Sequence, residues 1–270
     1  MTDVKRVPMP RRKLTMVALA LALLVIILAI QLPPAALLGK ADVVGYAICH
    51  RIPERSFFLN GHQLPLCARC TGTFLGALLG LAAMFLYGRR RASSLPPVPV
   101  LGMMIVFTGI WGFDGLNSYM TFFPGAPHLY EPRNWLRLTT GLLNGLTLMG
   151  LVYPIFNFTV WAEPSRARVF KNVWEVLALV PVWVLIILAL QAGLDFLLYP
   201  LALLSSLGVV VMLTLLNALI ATLVLGREGY AQTRRQVLIP LIVGAALAIV
   251  EMTALVLVRA YLTTSLGLPI

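Results

Sequence analysis

The chain has 270 residues, 60% of them hydrophobic and 11% charged, with a formal net charge of +11. That charged fraction is about half of what a soluble domain carries, which excludes a water-soluble globular protein and points to a polytopic membrane protein. No hydrophilic block is long enough to fold as a separate domain, and the positive excess fits anionic lipid at the inner membrane surface rather than nucleic acid.

Apolar runs near the ~20 residues that a spanning helix needs occur at residues 14–32, 71–87, 98–122, 136–158, 173–191, 196–225 and 237–258. They predict an all-α transmembrane helical bundle of about seven spans. If the spans alternate, one side of the membrane receives Lys5, Arg6, Arg11, Arg12 and Lys13, then Arg89, Arg90 and Arg91, then Arg166, Arg168 and Lys171, then Arg227, Arg234 and Arg235. That side holds twice as many basic residues as the other, so the N-terminus is expected inside and the C-terminus outside. The first run, basic at its start and followed by Ala35 and Ala36, also has the look of a secretory signal. Its length favours an uncleaved anchor, and cleavage would leave six spans oriented as before.

Between the first two spans, on the expected outer face, residues 49–70 hold all three cysteines and two of the three histidines. Cys67 and Cys70 form a Cys-x-x-Cys at the start of the second span, where free backbone N–H groups and the helix dipole favour thiolate over thiol. Arg69 adds to that bias. Cys49, His50 or His62, Cys67 and Cys70 supply three sulfurs and one nitrogen, a ligand set suited to tetrahedral zinc, with iron the alternative. His50 adjoins Cys49, so both reach one ion only in some backbone conformations, and His62 competes for the fourth position. A second chemistry is thiol-disulfide exchange, as in membrane oxidases that pass electrons from dithiols to quinone. Those enzymes use a second cysteine pair, whereas only Cys49 remains here. The plainest alternative is a structural disulfide with one cysteine left over.

Polar residues within the spans form a second group. Asp114 and Asn117 share one face of the third span, and Asn134, Arg137, Gly141 and Asn144 recur along one face of the fourth. Asp114, and Glu251 in the seventh span, each fall about eight residues before the expected outer end, roughly 12 Å in depth. Asn144 lies at similar depth, whereas Asn217 is the clearest polar residue of the inner half. A charge in hydrocarbon costs at least ~2.5 kcal/mol, so these groups face either one another or a cavity. One reading is internal pairing, with Asp114 or Glu251 held to Arg137; the other is an outward-facing pocket below the cysteine loop. Gly72, Gly76 and Gly80 on the second span, with Gly141 and Gly145 on the fourth, predict close helix packing there.

These residues resemble a family of prokaryotic predicted membrane proteins classed as a domain of unknown function. The resemblance rests on Cys49-His50, on residues 53–57 with Gly61 and 63–65, and on Cys67-Ala68-Arg69-Cys70-Thr71-Gly72. It continues through Asp114-Gly115, Asn134, Arg137, Thr140-Gly141 and Gly145, covering roughly residues 43–151. It implies membership and a prokaryotic plasma membrane, with no reaction attached. A region 1–164 with four spans and the Cys/His loop is therefore set apart from a three-span region 165–270.

The expected functional centre is a metal site at the outer surface above a polar pocket in the outer leaflet. In an enzyme acting on a lipid, quinone or other small molecule, Cys49, His50 or His62, Cys67 and Cys70 would hold zinc or iron. Arg137 would bind an anionic group, and Asp114, with Glu251, would exchange protons. A transporter, a thiol oxidoreductase and a non-catalytic membrane subunit are the competing classes. Membrane lipid is the expected surrounding partner.

Overall fold

The protein is described here as a computed structural model covering residues 12–123 and 125–266. Lys5, Arg6, Arg11 and Pro124 lie outside the described residues, as do the side chains of Arg12 and Lys13. Helix α1 spans Arg12–Gln31 and α2 spans Leu37–Ile48. A 3-10 turn over Pro53–Arg55 leads into a hairpin of β1 (Phe58–Leu59) and β2 (His62–Gln63). Then come α3 (Ala68–Leu86), β3 (Ala92–Ser94), α4 (Val98–Met120) and α5 (Asn134–Val160). The chain closes with β4 (Ser165–Arg168), α6 (Val173–Leu177), α7 (Val180–Gln191), a 3-10 turn at Asp195–Leu197, α8 (Leu198–Val224) and α9 (Arg234–Leu266).

Among the described residues, six helical segments are long and apolar enough to cross a membrane. Five of them are α3, α4, α5, α8 with the turn before it, and α9; the sixth is α6 and α7 together, broken around Ala178 and Leu179. Pro181, in the first turn of α7, has no N–H to continue a ladder from α6 and suits a fresh helix start. Helix α1 is the further apolar helix. All seven expected runs are thus helical. Helix α2 was not expected: at 12 residues, with Lys40 and Asp42 inside it, it is too short and too polar to read as a span.

The tightest pair is α3 with α5, and glycine causes it. A Cβ on Gly72 or Gly76 would run into the carbonyls of Leu138 or Leu142, and one on Gly141 or Gly145 into those of Arg69 or Thr73. Around this pair α4 packs on α5, α8 packs on α3 and α5, α9 on α8, and α1 and α2 lie against α9. One core runs from Leu59 and Leu64 through Leu138, Leu142 and Met149 to Trp183, Leu201 and Val237, so helices from either side of residue 164 share it. Many large apolar side chains on the outside, such as Ile105 and Val98, face outward as lipid contact requires.

The thiols sit at one end of the bundle. At the opposite end β3 pairs in parallel with β4, Arg89 forms an ion pair with Glu175, and Asn157 donates to the Ala92 carbonyl at 3.0 Å.

Candidate metal centre

Cys49 caps the C-terminus of α2, Cys67 is the N-cap of α3, and Cys70 lies in the first turn of α3. A close approach brings the two ends together, because Gly45 of α2 lies against the Pro65 carbonyl so tightly that any side chain would collide. The result is that the three sulfurs all lie within 4.8 Å of one another. Tetrahedral bonds of ~2.3 Å would set sulfurs about 3.8 Å apart, so one ion fits with small side-chain rotations. All three are free thiols.

The backbone N–H of Cys67 donates to the Cys49 sulfur at 3.2 Å. Cys49 is held well below the ordinary thiol value, by hydrogen bonding from the Cys67 thiol first and the Cys70 thiol second, against the opposing effect of burial. Cys67 moves the other way, because its proton is held in the bond to Cys49. The surroundings are dry: Leu66, Val209 of α8 and Met252 of α9 are buried against Cys49. A thiolate placed in that setting needs a counter-charge.

The histidines do not join the thiols. His62 stands in the hairpin with its Nε2 3.2 Å from the Asp42 carboxylate, and His50 is exposed. The hairpin is turned by Asn60 and Gly61, both at positive φ, as a type I′ turn demands. The ligand group among the described residues is therefore three sulfurs without a nitrogen.

Arg259, near the end of α9, joins the site although no local motif in the sequence marks it. Its guanidinium donates to the carbonyls of Tyr46 at 2.7 Å and Cys49 at 2.6 Å, and it lies over the Tyr46 ring. A cation on the last carbonyls of α2 satisfies the helix end and fixes the backbone that carries Cys49. Gln63 does similar work from β2, donating to the Arg51 carbonyl at 2.7 Å and to the Ser56 hydroxyl at 2.9 Å.

Beside the thiols lies a polar network whose pairing differs from the sequence expectation. Asp114 forms its ion pair with Arg69, not with Arg137. It also accepts from the Tyr130 hydroxyl at 2.8 Å and from Thr140 at 3.3 Å, and it is buried. The Tyr130 phenol is pushed up to about 12, by burial first and by Asp114 second. Arg137 is buried on α5 and donates to Ser118 at 2.9 Å and Asn134 at 2.7 Å. Asn134 in turn holds the Ser56 carbonyl at 3.1 Å, which ties the loop 53–56 to α5. Asn117 binds the backbone of Leu129 and Tyr130, and Asn144 accepts from Thr108 at 3.2 Å.

Glu251 is not part of this network. It accepts a 2.9 Å hydrogen bond from Asn217 on α8, the residue placed in the inner half by sequence. The cause is length: α9 runs on to Leu266 rather than stopping near residue 258, which puts Glu251 near the middle of the helix.

Residues 49–151 match the model of a family described as predicted membrane protein (DUF2085). The chain is 37% identical over 101 residues to an uncharacterised protein of Methanothermobacter thermautotrophicus, an alignment covering 37% of this chain and 80% of that protein. It is 33% identical over 109 residues to an uncharacterised protein of Methanocaldococcus jannaschii, covering 40% of this chain and 64% of that one. No solved structure matches. The matched segment contains the three cysteines, Arg55, Arg69, Asp114 and Arg137, whereas Glu251 and Arg259 lie beyond it.

Proposed function

We propose that this chain, which belongs to the predicted membrane protein family DUF2085, holds one soft metal ion on Cys49, Cys67 and Cys70 and acts as a metal-dependent membrane enzyme. Zinc is the first choice and iron the second, since thiolate ligands suit both. The observation that carries this reading is the convergence of three sulfurs from two helix ends. Three protein ligands around a tetrahedral ion leave a fourth position for water or substrate, the pattern of a catalytic rather than a closed structural site. Cys67 and Cys70 are half-buried and offer access to that position. Bound there, the ion would polarise a coordinated oxygen. Arg259 and Gln63 would hold the Cys49 end of the site, and Asp114 would position Arg69 and Tyr130 beside it. The positive-inside distribution of basic residues supports an extracytoplasmic position for this centre.

The test is cobalt titration of metal-free, reduced protein in detergent. Thiolate coordination predicts a sulfur-to-cobalt absorption band that saturates at about one equivalent and is lost in Cys49→Ser. If cobalt produces no such band, and mild oxidation joins Cys67 to Cys70 reversibly, the centre is a redox dithiol instead.

A further inference from the structure

Three arginines converge at the head of α3, and they carry more charge than their neighbours neutralise. Arg55 donates to the Ser118 carbonyl at 2.9 Å, and Arg137 donates to the hydroxyl of the same serine at 2.9 Å. Arg69 approaches from α3 to Asp114, four residues before Ser118 on α4. Arg137 therefore experiences the like charges of both Arg55 and Arg69. Among the described residues no ion pair joins Arg55 or Arg137 to a carboxylate, and Asp114 is already engaged by Arg69. Glu54 and Cys67 act on Arg55 only at longer range.

Donors are also left over. A guanidinium has five N–H groups, and Arg137 uses three of them, on Ser118 and Asn134. The Nε of Arg69 is buried with no hydrogen-bond partner. A buried guanidinium without an anion is costly, and each partnerless N–H adds to that cost. Both deficits are removed by one ligand that brings negative charge and several acceptor oxygens. Arg55 and Arg69 are half-buried, so such a ligand can reach them from the surface, with Arg137 behind.

We propose that Arg55, Arg69 and Arg137 form a binding site for a phosphate group beside the thiols. Three planar forks against one carboxylate leave about two positive charges, which suits a phosphate oxyanion better than a single carboxylate. The group belongs either to the headgroup of an anionic lipid, which lies at the depth of the helix ends, or to free phosphate. The assignment rests on the metal reading only for the reaction that would follow, not for the binding itself.

Phosphate binding to the metal-loaded protein in nanodiscs of phosphatidylcholine, measured by calorimetry with inorganic phosphate, tests this. Saturable binding is expected, weakened at least tenfold in Arg137→Gln and in Arg55→Gln with the metal content unchanged. Arg133→Gln, at an exposed neighbour, should bind as the parent does. Replacing part of the lipid by phosphatidylglycerol separates the sources: loss of phosphate binding identifies the headgroup as ligand, and unchanged binding identifies free phosphate. If Arg137→Gln fails to fold, Arg55→Gln and the parent protein still decide the matter. The proposal is overturned if the folded parent binds neither inorganic phosphate nor phosphatidylglycerol in preference to phosphatidylcholine. Protein that binds phosphate but no metal would overturn the metal reading and leave this one standing.

Discussion

At the scale of single residues, the site separates into sulfurs that converge and imidazoles that do not. Cys49→Ser, Cys67→Ser and Cys70→Ser should each lower metal retention sharply, whereas His50→Ala and His62→Ala should leave about one ion per chain; metal analysis after dialysis against a weak chelator distinguishes these. Arg259 holds the Cys49 carbonyl. Arg259→Gln should therefore weaken metal affinity about tenfold, in the range measured for residues that orient ligands, as read by competition with a chelator of known affinity. Tyr130 gives the protein an alkaline limit. Its folded value of about 12 exceeds the ordinary 10.0, so the unfolded chain loses the phenolic proton first and stability falls as pH rises from about 10 toward 12. Thermal unfolding across that range should show the decline in the parent and a smaller one in Tyr130→Phe.

The thiol group was legible in the sequence because its members lie within 22 residues and the Cys-x-x-Cys spacing is local. The partners of the charged residues were not. Arg69 finds Asp114 across 45 positions and Arg259 finds Cys49 across 210, and nothing in the local spacing of these charged residues encodes which partners they meet. Asp114 and Arg137 look like natural partners from their depth alone. In the structure Arg69 takes the carboxylate, because α3 and α4 both pack on α5 and the first turn of α3 thereby comes beside Asp114 of α4.

At the scale of elements, the spans were readable because hydrocarbon leaves the backbone few alternatives to a helix. The short pieces were not: α2 is apolar enough to pack but too short to cross, and the hairpin at Asn60 and Gly61 consists of two-residue strands. These same pieces bring Cys49 to α3. The glycine expectation for α3 and α5 carries through to contact, since Gly72, Gly76, Gly141 and Gly145 lie against backbone carbonyls. Gly76→Val should cost at least ~1 to 3 kcal/mol by overpacking and lower the melting temperature in detergent. Gly102→Val on α4, where a side chain meets open space, should leave the melting temperature near that of the parent. Equal effects at the two positions would mean that α3 and α5 are not in close contact.

At the scale of the whole molecule, polar groups collect at both ends of the bundle and lipid-facing apolar residues cover its sides. Accessibility follows from orientation. After metal chelation in intact cells, a membrane-impermeant maleimide should label Cys67 or Cys70 from outside, and labelling only after lysis would invert the topology. The claim on which the functional account depends is that three thiolates share one ion. Elemental analysis of protein purified under reducing conditions, without chelator, tests it most directly. Roughly one zinc or iron per chain, lost in Cys49→Ser, is the predicted result; metal-free protein whose three thiols titrate freely and independently would contradict it.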